Sequence, residues 1–179
     1  DHLTAAPVLE NYIRQHAPDA PVIVSPDSGR IKVAERMAQH LHDCEADIAF
    51  IYKRRPKGQA NVVEAKEVIG DVKGRLCVLT DDMIDTGGTI VSAAELLLER
   101  GATEVWAMAT HGVLSGPAVE RLSASPLERL VLTNTLPLPE QKRLSQVDVL
   151  SIAPLIAQAL SAVFDDTSVS EIFSGENYA

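Results

Sequence analysis

LCVLTDDMIDTGGTIVSAAELL, residues 76–97, decides the fold. It opens as an apolar run of strand character, closes as a helix with an apolar stripe, and sets three aspartates and two glycines between them. A strand passing through a short turn into a helix is the half-unit of a parallel α/β sheet. Similar apolar runs bounded by turn residues recur at 22–25, 48–52, 105–109 and 130–133. Helical spacing lies between most of them. Ile31, Ala34, Ala38 and Leu41 step by three and four, as do Ile90, Ala94, Leu97 and Leu98 in a helix expected from about Thr89, with Gly101 as its stop. Pro117 after Gly116 suits a first turn with Val119 and Leu122 on its inner face. Strands that read as continuous apolar runs are buried on both faces, so the expectation is an α/β chain with a mostly parallel sheet between helices.

One interval breaks the alternation. KRRPKGQAN follows Tyr52, and VVEAKEVIG leaves no room for a crossover helix before the next strand. Pro56 and Gly58 read as a loop, and 62–68 as an extended segment returning antiparallel at the edge of the sheet. From about Val147 a short strand precedes an apolar helix over 152–164 and a polar tail containing SVSEIFSG.

A length of 179 residues with 46% hydrophobic content suits one folded domain with an appendage. A net charge of −9 speaks against a nucleic-acid partner, because such binding leans on clustered Lys and Arg. Yet Lys53, Arg54, Arg55 and Lys57 gather four of the 16 basic residues within five positions. Cys44 and Cys77 form no disulfide framework or zinc spacing, which suits a reducing cytoplasm. No apolar run approaches membrane-spanning length, and no membrane partner is expected.

Ligands of open parallel sheets collect outside the carboxyl ends of the strands. After Thr80 comes DDMIDTGGT. Thr86, Gly87, Gly88 and Thr89 can turn several N–H groups and two hydroxyls toward one point at the positive end of a helix, as a phosphate monoester requires. Asp81 and Asp82 suit paired hydroxyls of a polyol, or a magnesium shell. The plain alternative is a capped strand-to-helix turn. Three acids beside TGGT favour a sugar phosphate.

After the first strand, SPDSGRIK places Asp27, Ser28 and Gly29 at the next helix start, with Arg30 and Lys32 nearby. A second phosphate group fits there, with Asp27 toward a divalent cation, although such turns also serve as simple caps. The basic loop would ordinarily be a solvated surface. In an acidic chain, at the same sheet edge, it could close over bound phosphates and stabilise charge on a transferring group. His111 in THGVLSG reads as structural or supporting. His40 and His42 lie two apart on a helix and diverge, which disfavours a metal pair. Trp106 reads as core or sheet cover.

DDMIDTGGT resembles the phosphoribosyl diphosphate (PRPP) motif shared by type I phosphoribosyltransferases and ribose-phosphate diphosphokinases. SPDSGR, YKRRPKGQANVVE, ATHGVLSGPA and SVSEIF resemble the diphosphokinase specifically. The resemblance covers essentially the whole chain but only the C-terminal half of that enzyme. It implies a three-layer phosphoribosyltransferase-like fold over 1–146, with 147–179 packing on the N-terminal half, which is expected to be missing here. The implied reaction takes ATP and ribose 5-phosphate to AMP and PRPP with Mg2+. Asp85, Thr86, Gly87, Gly88 and Thr89 would cradle the 5-phosphate, and Asp81 and Asp82 the ribose hydroxyls. Lys53 and Arg55 match the family's catalytic Lys-x-Arg, with Arg55 also near the ribose phosphate. Asp27 would bind magnesium, and Asp27, Ser28, Gly29 and Arg30 form the diphosphate loop, where Arg30 replaces a glycine present in many members. Ser168 and Phe173 match positions that bind a regulatory nucleotide in some members. The family also implies a cytoplasmic homo-oligomer, a hexamer for the full-length enzyme, and little turnover by the C-terminal half alone. The alternatives are a salvage phosphoribosyltransferase that consumes PRPP and a non-catalytic protein associated with the synthetase.

Overall fold

A computed structural model describes residues 3–54 and 65–173. In chain order the elements are α1 (Ala6–His16), β1 (Val22–Ser25), α2 (Ile31–His40), β2 (Asp47–Arg54), β3 (Ala65–Ile69), β4 (Leu76–Ile84) and α3 (Gly88–Glu99), followed by β5 (Glu104–Gly112), α4 (Ala118–Ser123), β6 (Arg129–Thr133), β7 (Val147–Leu150) and α5 (Ala153–Phe164). The strands form one sheet in the order β3-β2-β1-β4-β5-β6-β7. Every neighbouring pair is parallel except β2–β3, which runs antiparallel from Phe50↔Ile69 to Arg54↔Ala65. The expected antiparallel edge is therefore present, although residues 62–64 of its return lie outside the described residues. Gly70 ends that return at φ +119, where a Cβ would stand 2.7 Å from the Ala49 Cβ and 2.8 Å from the Ile48 carbonyl oxygen. The hairpin closes onto β2 because this position has no side chain.

Two apolar layers sandwich the sheet. On one face Val24, Leu79, Ala107 and Leu130 meet Ile90, Ala94 and Leu97 of α3 and Ala118 and Leu122 of α4. On the other, Ile23, Val78, Met108 and Val131 meet Leu9 and Ile13 of α1 and Ala34, Met37 and Leu41 along α2. Each fully buried Leu, Ile or Met contributes about 1.5–3 kcal/mol relative to exposure. Trp106 is core, as expected, with its indole N–H donating to Glu104 and the Arg129 guanidinium 4.9 Å above its ring. Both cysteines are free, and burial pushes the Cys77 thiol up to about 12, so it is chemically quiet.

Several features differ from the expectations. β4 continues beyond Thr80 to Ile84, because it keeps pairing with β5 as far as Ile84↔Gly112. β5 likewise runs past Ala109 to Gly112, so His111 lies within the strand and not after it. Helix α3 starts at Gly88, and α4 buries Ala118 and Leu122 while Val119 is only half-buried. Helix α1 went unread, although Pro7 in its first turn and the spacing of Leu9, Tyr12 and Ile13 announce it.

The strand order positions the site. From β1 the chain moves to β2 on one side and later returns to β4 on the other. The segments leaving the carboxyl ends of β1 and β4 therefore diverge and leave a crevice between them. At the opposite edge β7 pairs with β6, and α5 buries Leu155 and Ala162 while leaving Leu160, Val163 and Phe164 exposed. No helix among the described residues is long and apolar enough to cross a membrane.

Candidate functional site at the strand-order reversal

The β4 register carries Thr80, Asp81 and Asp82 out of the core in sequence. Thr80 is buried, the Asp81 side chain is 19% exposed and that of Asp82 45%. Both carboxylates sit on the strand itself, one element earlier than the post-strand loop in which the sequence suggested them. That difference makes them more rigid, because β5 pairs alongside. Each folds back on the following backbone: the Asp82 N–H donates to Asp81 Oδ1 at 2.8 Å and the Met83 N–H to Asp82 Oδ1 at 2.9 Å. Burial, then the hydrogen bond shared with Asp82, pushes the Asp81 carboxyl up to about 6. Burial also raises Asp82, but the hydrogen bond to Asp81 and the Arg30 guanidinium outweigh it and lower the carboxyl overall. The two adjacent acids are thus pushed in opposite directions.

The turn into α3 is built for approach by an anion. Gly87 is the residue before the helix, at φ +75, a conformation that costs an ordinary L-residue about 1–2 kcal/mol. A Cβ there would also press on Leu122 Cγ at 3.3 Å. No side chain caps α3, so its first N–H groups remain available to a ligand. A cavity of about 150 Å³ opens on this turn, lined by Asp81 and residues 83–90. All five cradle residues read from the sequence, Asp85, Thr86, Gly87, Gly88 and Thr89, line it. Ser115 Oγ donates to Asp85 Oδ1, the Ser115 N–H to the Asp85 carbonyl at 3.0 Å, and Arg121 Nη1 to the Thr86 carbonyl at 3.2 Å. Ser115 and Arg121 were not read from the sequence. The available signal was LSGP, which leaves the next strand over at the same end of the sheet.

The loop after β1 folds as a compact turn. Ser25 Oγ donates to the Asp27 carbonyl at 2.6 Å, and the Gly29 N–H to Asp27 Oδ1 at 2.8 Å. Ser28 and Gly29 are exposed, and α2 likewise has no side-chain cap. Arg30 turns across the crevice. Its Nη2 pairs with Asp82 Oδ2, and its Nε lies 3.7 Å from Asp81 Oδ1. A second cavity of about 140 Å³ lies on the α1–α2 side, with Arg30, Thr80, Asp81, Asp82 and Thr110 in its wall. Asp81 therefore borders both spaces.

Lys53 belongs to β2, which runs beyond its last pairing with β1 at Ser25↔Phe50. At about 3.3 Å per residue this carries the Lys53 backbone roughly 10 Å past the end of β1, on the crevice side of the sheet. Arg55 lies outside the described residues. Ser168 precedes a 3₁₀ turn, Val169–Phe173, which packs on α5, and its hydroxyl lies 2.6 Å from Ser170 Oγ.

His111 Nδ1 is 2.8 Å from Thr135 Oγ1, and Thr135 Oγ1 in turn donates to the Thr110 carbonyl at 2.9 Å. These contacts fit the structural part expected of it. His40 meets Glu10 at 2.9 Å, whereas His42 meets the Gln39 carbonyl at 3.2 Å, so the two turn to separate partners. Among the described residues no group of three or more His, Cys, Asp or Glu is arranged around a metal. The Asp27 carboxylate at the turn after β1 is chemically suited to hold magnesium together with a phosphate ligand, because Mg2+ needs few protein carboxylates when phosphate oxygens complete its shell.

A family model described as phosphoribosyl synthetase-associated domain matches residues 47–174. The chain belongs to that family. It is 49% identical over 175 residues to the ribose-phosphate pyrophosphokinase of Caldanaerobacter subterraneus subsp. tengcongensis, covering 97% of this chain and 54% of that protein. It superposes on phosphoribosylpyrophosphate synthetase from Mycobacterium smegmatis with a TM-score of 0.83 at 50% identity, covering 93% of this chain and 52% of that one. A more distant likeness, to the APRTase from Giardia lamblia at a TM-score of 0.53 and 15% identity over 72% of this chain and 75% of that one, bears on fold alone. The family's fold is thus the phosphoribosyltransferase-like one expected from the sequence. The chain spans about half the length of the curated relatives it matches.

Proposed function

We propose that this chain carries the ribose 5-phosphate and diphosphate half of a ribose-phosphate pyrophosphokinase, which converts ATP and ribose 5-phosphate to PRPP and AMP. The observation that carries this reading is the meeting, at one strand-order reversal, of the Asp81–Asp82 pair with the uncapped, glycine-led start of α3. A sugar phosphate needs both. The α3 turn takes the 5-phosphate, and the carboxylates accept hydrogen bonds from the ribose hydroxyls. The C1 hydroxyl oxygen then attacks the β-phosphorus of ATP, the bond from that phosphorus to the α,β-bridging oxygen breaks, AMP leaves, and the hydroxyl proton is lost. Lys53 and Arg55 supply positive charge to the transferring group. Asp27 would hold magnesium, which would supply charge neutralisation when bound. Adenine recognition belongs to the half of the relatives that this chain does not span.

The same reading has the 147–179 segment, with the exposed Leu160, Val163 and Phe164 of α5, pack on that other half. It places a regulatory nucleotide near Ser168 and Phe173, and the working form as a cytoplasmic hexamer. The salvage phosphoribosyltransferase is disfavoured by the 50% identity to a synthetase across nearly the whole chain. The non-catalytic alternative is disfavoured by the retention of Lys53, Arg55, Asp81 and Asp82.

Assay of the whole protein with ATP and ribose 5-phosphate, then with PRPP and a panel of bases, decides between these. AMP and PRPP in the first reaction are expected. Base-dependent release of diphosphate in the second, with no PRPP in the first, contradicts the proposal.

The Asp81 carboxyl gives a pH signature. Its proton, held up to about pH 6, must leave before both Asp81 oxygens can accept from the sugar, so binding strengthens as pH rises through 6. The ligand's own phosphate also titrates near pH 6. The slope of log affinity against pH near 5 therefore approaches two in the unsubstituted protein and one in Asp81→Asn. Equal slopes in calorimetric titrations would remove Asp81 from the sugar site.

A further inference from the structure

We propose that Arg30 competes internally for the carboxylates that hold the ribose hydroxyls, and is drawn off them by a phosphate group bound at the turn after β1. The two substrates' binding is thereby coupled. This rests on the reading that Asp81 and Asp82 receive those hydroxyls and that the turn 26–29 takes the diphosphate.

Arg30 is the residue before α2, at the end of the turn 26–29, and β1 is hydrogen-bonded to β4 through Val24↔Leu79. Its backbone thus belongs to the diphosphate side of the crevice, while its guanidinium reaches the sugar side. There Nη2 pairs with Asp82 Oδ2, and Nε approaches Asp81 Oδ1 at 3.7 Å. The remaining Asp82 oxygen already accepts the Met83 N–H at 2.9 Å, and Asp81 Oδ1 accepts the Asp82 N–H at 2.8 Å. A vicinal diol therefore meets Arg30 at Asp82 Oδ2 and beside Asp81 Oδ1.

The contact is made to be exchanged. The Arg30 side chain is 35% exposed and that of Asp82 45%, and ion pairs of that exposure are weak. A phosphate at the start of α2 offers the same planar fork a dianionic partner, which guanidinium groups bind in bidentate fashion. Rotation about the side-chain bonds carries the fork from one to the other without backbone change. With Arg30 on the phosphate, the carboxylates are free for the diol. By linkage the diol must favour phosphate binding by the same factor.

The test is calorimetric titration of ribose 5-phosphate into the whole protein, with and without methylenediphosphonate as a non-hydrolysable diphosphate probe. In the unsubstituted protein the diphosphonate should tighten ribose 5-phosphate binding by about fivefold, the upper range for such a pair. Arg30→Gly and Arg30→Gln should each bind ribose 5-phosphate about fivefold tighter than the unsubstituted protein without the probe, and gain nothing further from it. The backbone of Arg30, at φ −111 and ψ 8, is open to both replacements. Coupling that persists in the variants, or is absent from the unsubstituted protein, overturns the proposal while leaving the sugar site intact. Failure of the unsubstituted protein to bind ribose 5-phosphate at all overturns the sugar-site reading, and this inference with it.

Discussion

Replacing Lys53 with Ala lowers PRPP formation by roughly 10³-fold or more while ribose 5-phosphate affinity stays within about twofold. The split follows from position. The glycine turn and the aspartates belong to β4 and α3, whereas the backbone of Lys53 belongs to β2, on the far side of β1. On the proposed reading its charge acts where the β-phosphoryl group transfers, not where the 5-phosphate rests. Phosphoryl transfer asks little covalent chemistry of the protein, and a positive group on the migrating oxygens is among the largest single contributions available. Steady-state turnover and calorimetric binding of the same variant separate the two effects. Unchanged turnover removes Lys53 from the chemistry, while a large loss of affinity moves it into the sugar phosphate site.

Gly87→Val is the second large effect, and it acts on binding and folding together. A β-branched residue at φ +75 carries the cost of the left-handed region, and its side chain must also displace Leu122, whose Cγ lies 3.3 Å from the position of the new Cβ. The sum is about 2–4 kcal/mol of lost stability. The turn that exposes the first α3 amides is rebuilt at the same time. Ribose 5-phosphate affinity should fall at least tenfold, on the order of 1.4 kcal/mol. Urea midpoints and titration at a temperature where the variant remains folded measure both. Gly87→Ala, lacking the branch, should lose about 1–2 kcal/mol. Full affinity in Gly87→Val would place the phosphate elsewhere.

The apolar runs at 22–25, 76–80 and 130–133 were legible because strands buried on both faces cannot carry polar residues, and here their only polar members, Ser25, Thr80 and Thr133, are small and at the ends. The hairpin edge was legible from the missing crossover helix. The ends of β4 and β5 were not, because Asp81, Asp82 and His111 read as loop by polarity, while the ladder between the two strands continues through them. Helix α1 carries only a local signal, Pro7 and the spacing of Leu9, Tyr12 and Ile13, beside the stronger alternation downstream. Of the site, the residue types and spacing in DDMIDTGGT pointed to a sugar phosphate, and the structure gathers Asp81 and residues 85–89 of that stretch around one cavity. The Arg30 bridge to Asp81 and Asp82 could not be read, since it spans more than fifty positions and depends on which strands lie side by side. Ser115 and Arg121 were hidden for the same reason: they hold the turn before α3 from the neighbouring connection.

Hydrogen–deuterium exchange of the whole protein, read on peptides covering 85–90, decides whether this turn holds the phosphate of a sugar phosphate. Ribose 5-phosphate should slow exchange at the amides of 86–90, and ribose at the same concentration should not. Protection confined to other segments, or equal protection by ribose, would contradict it.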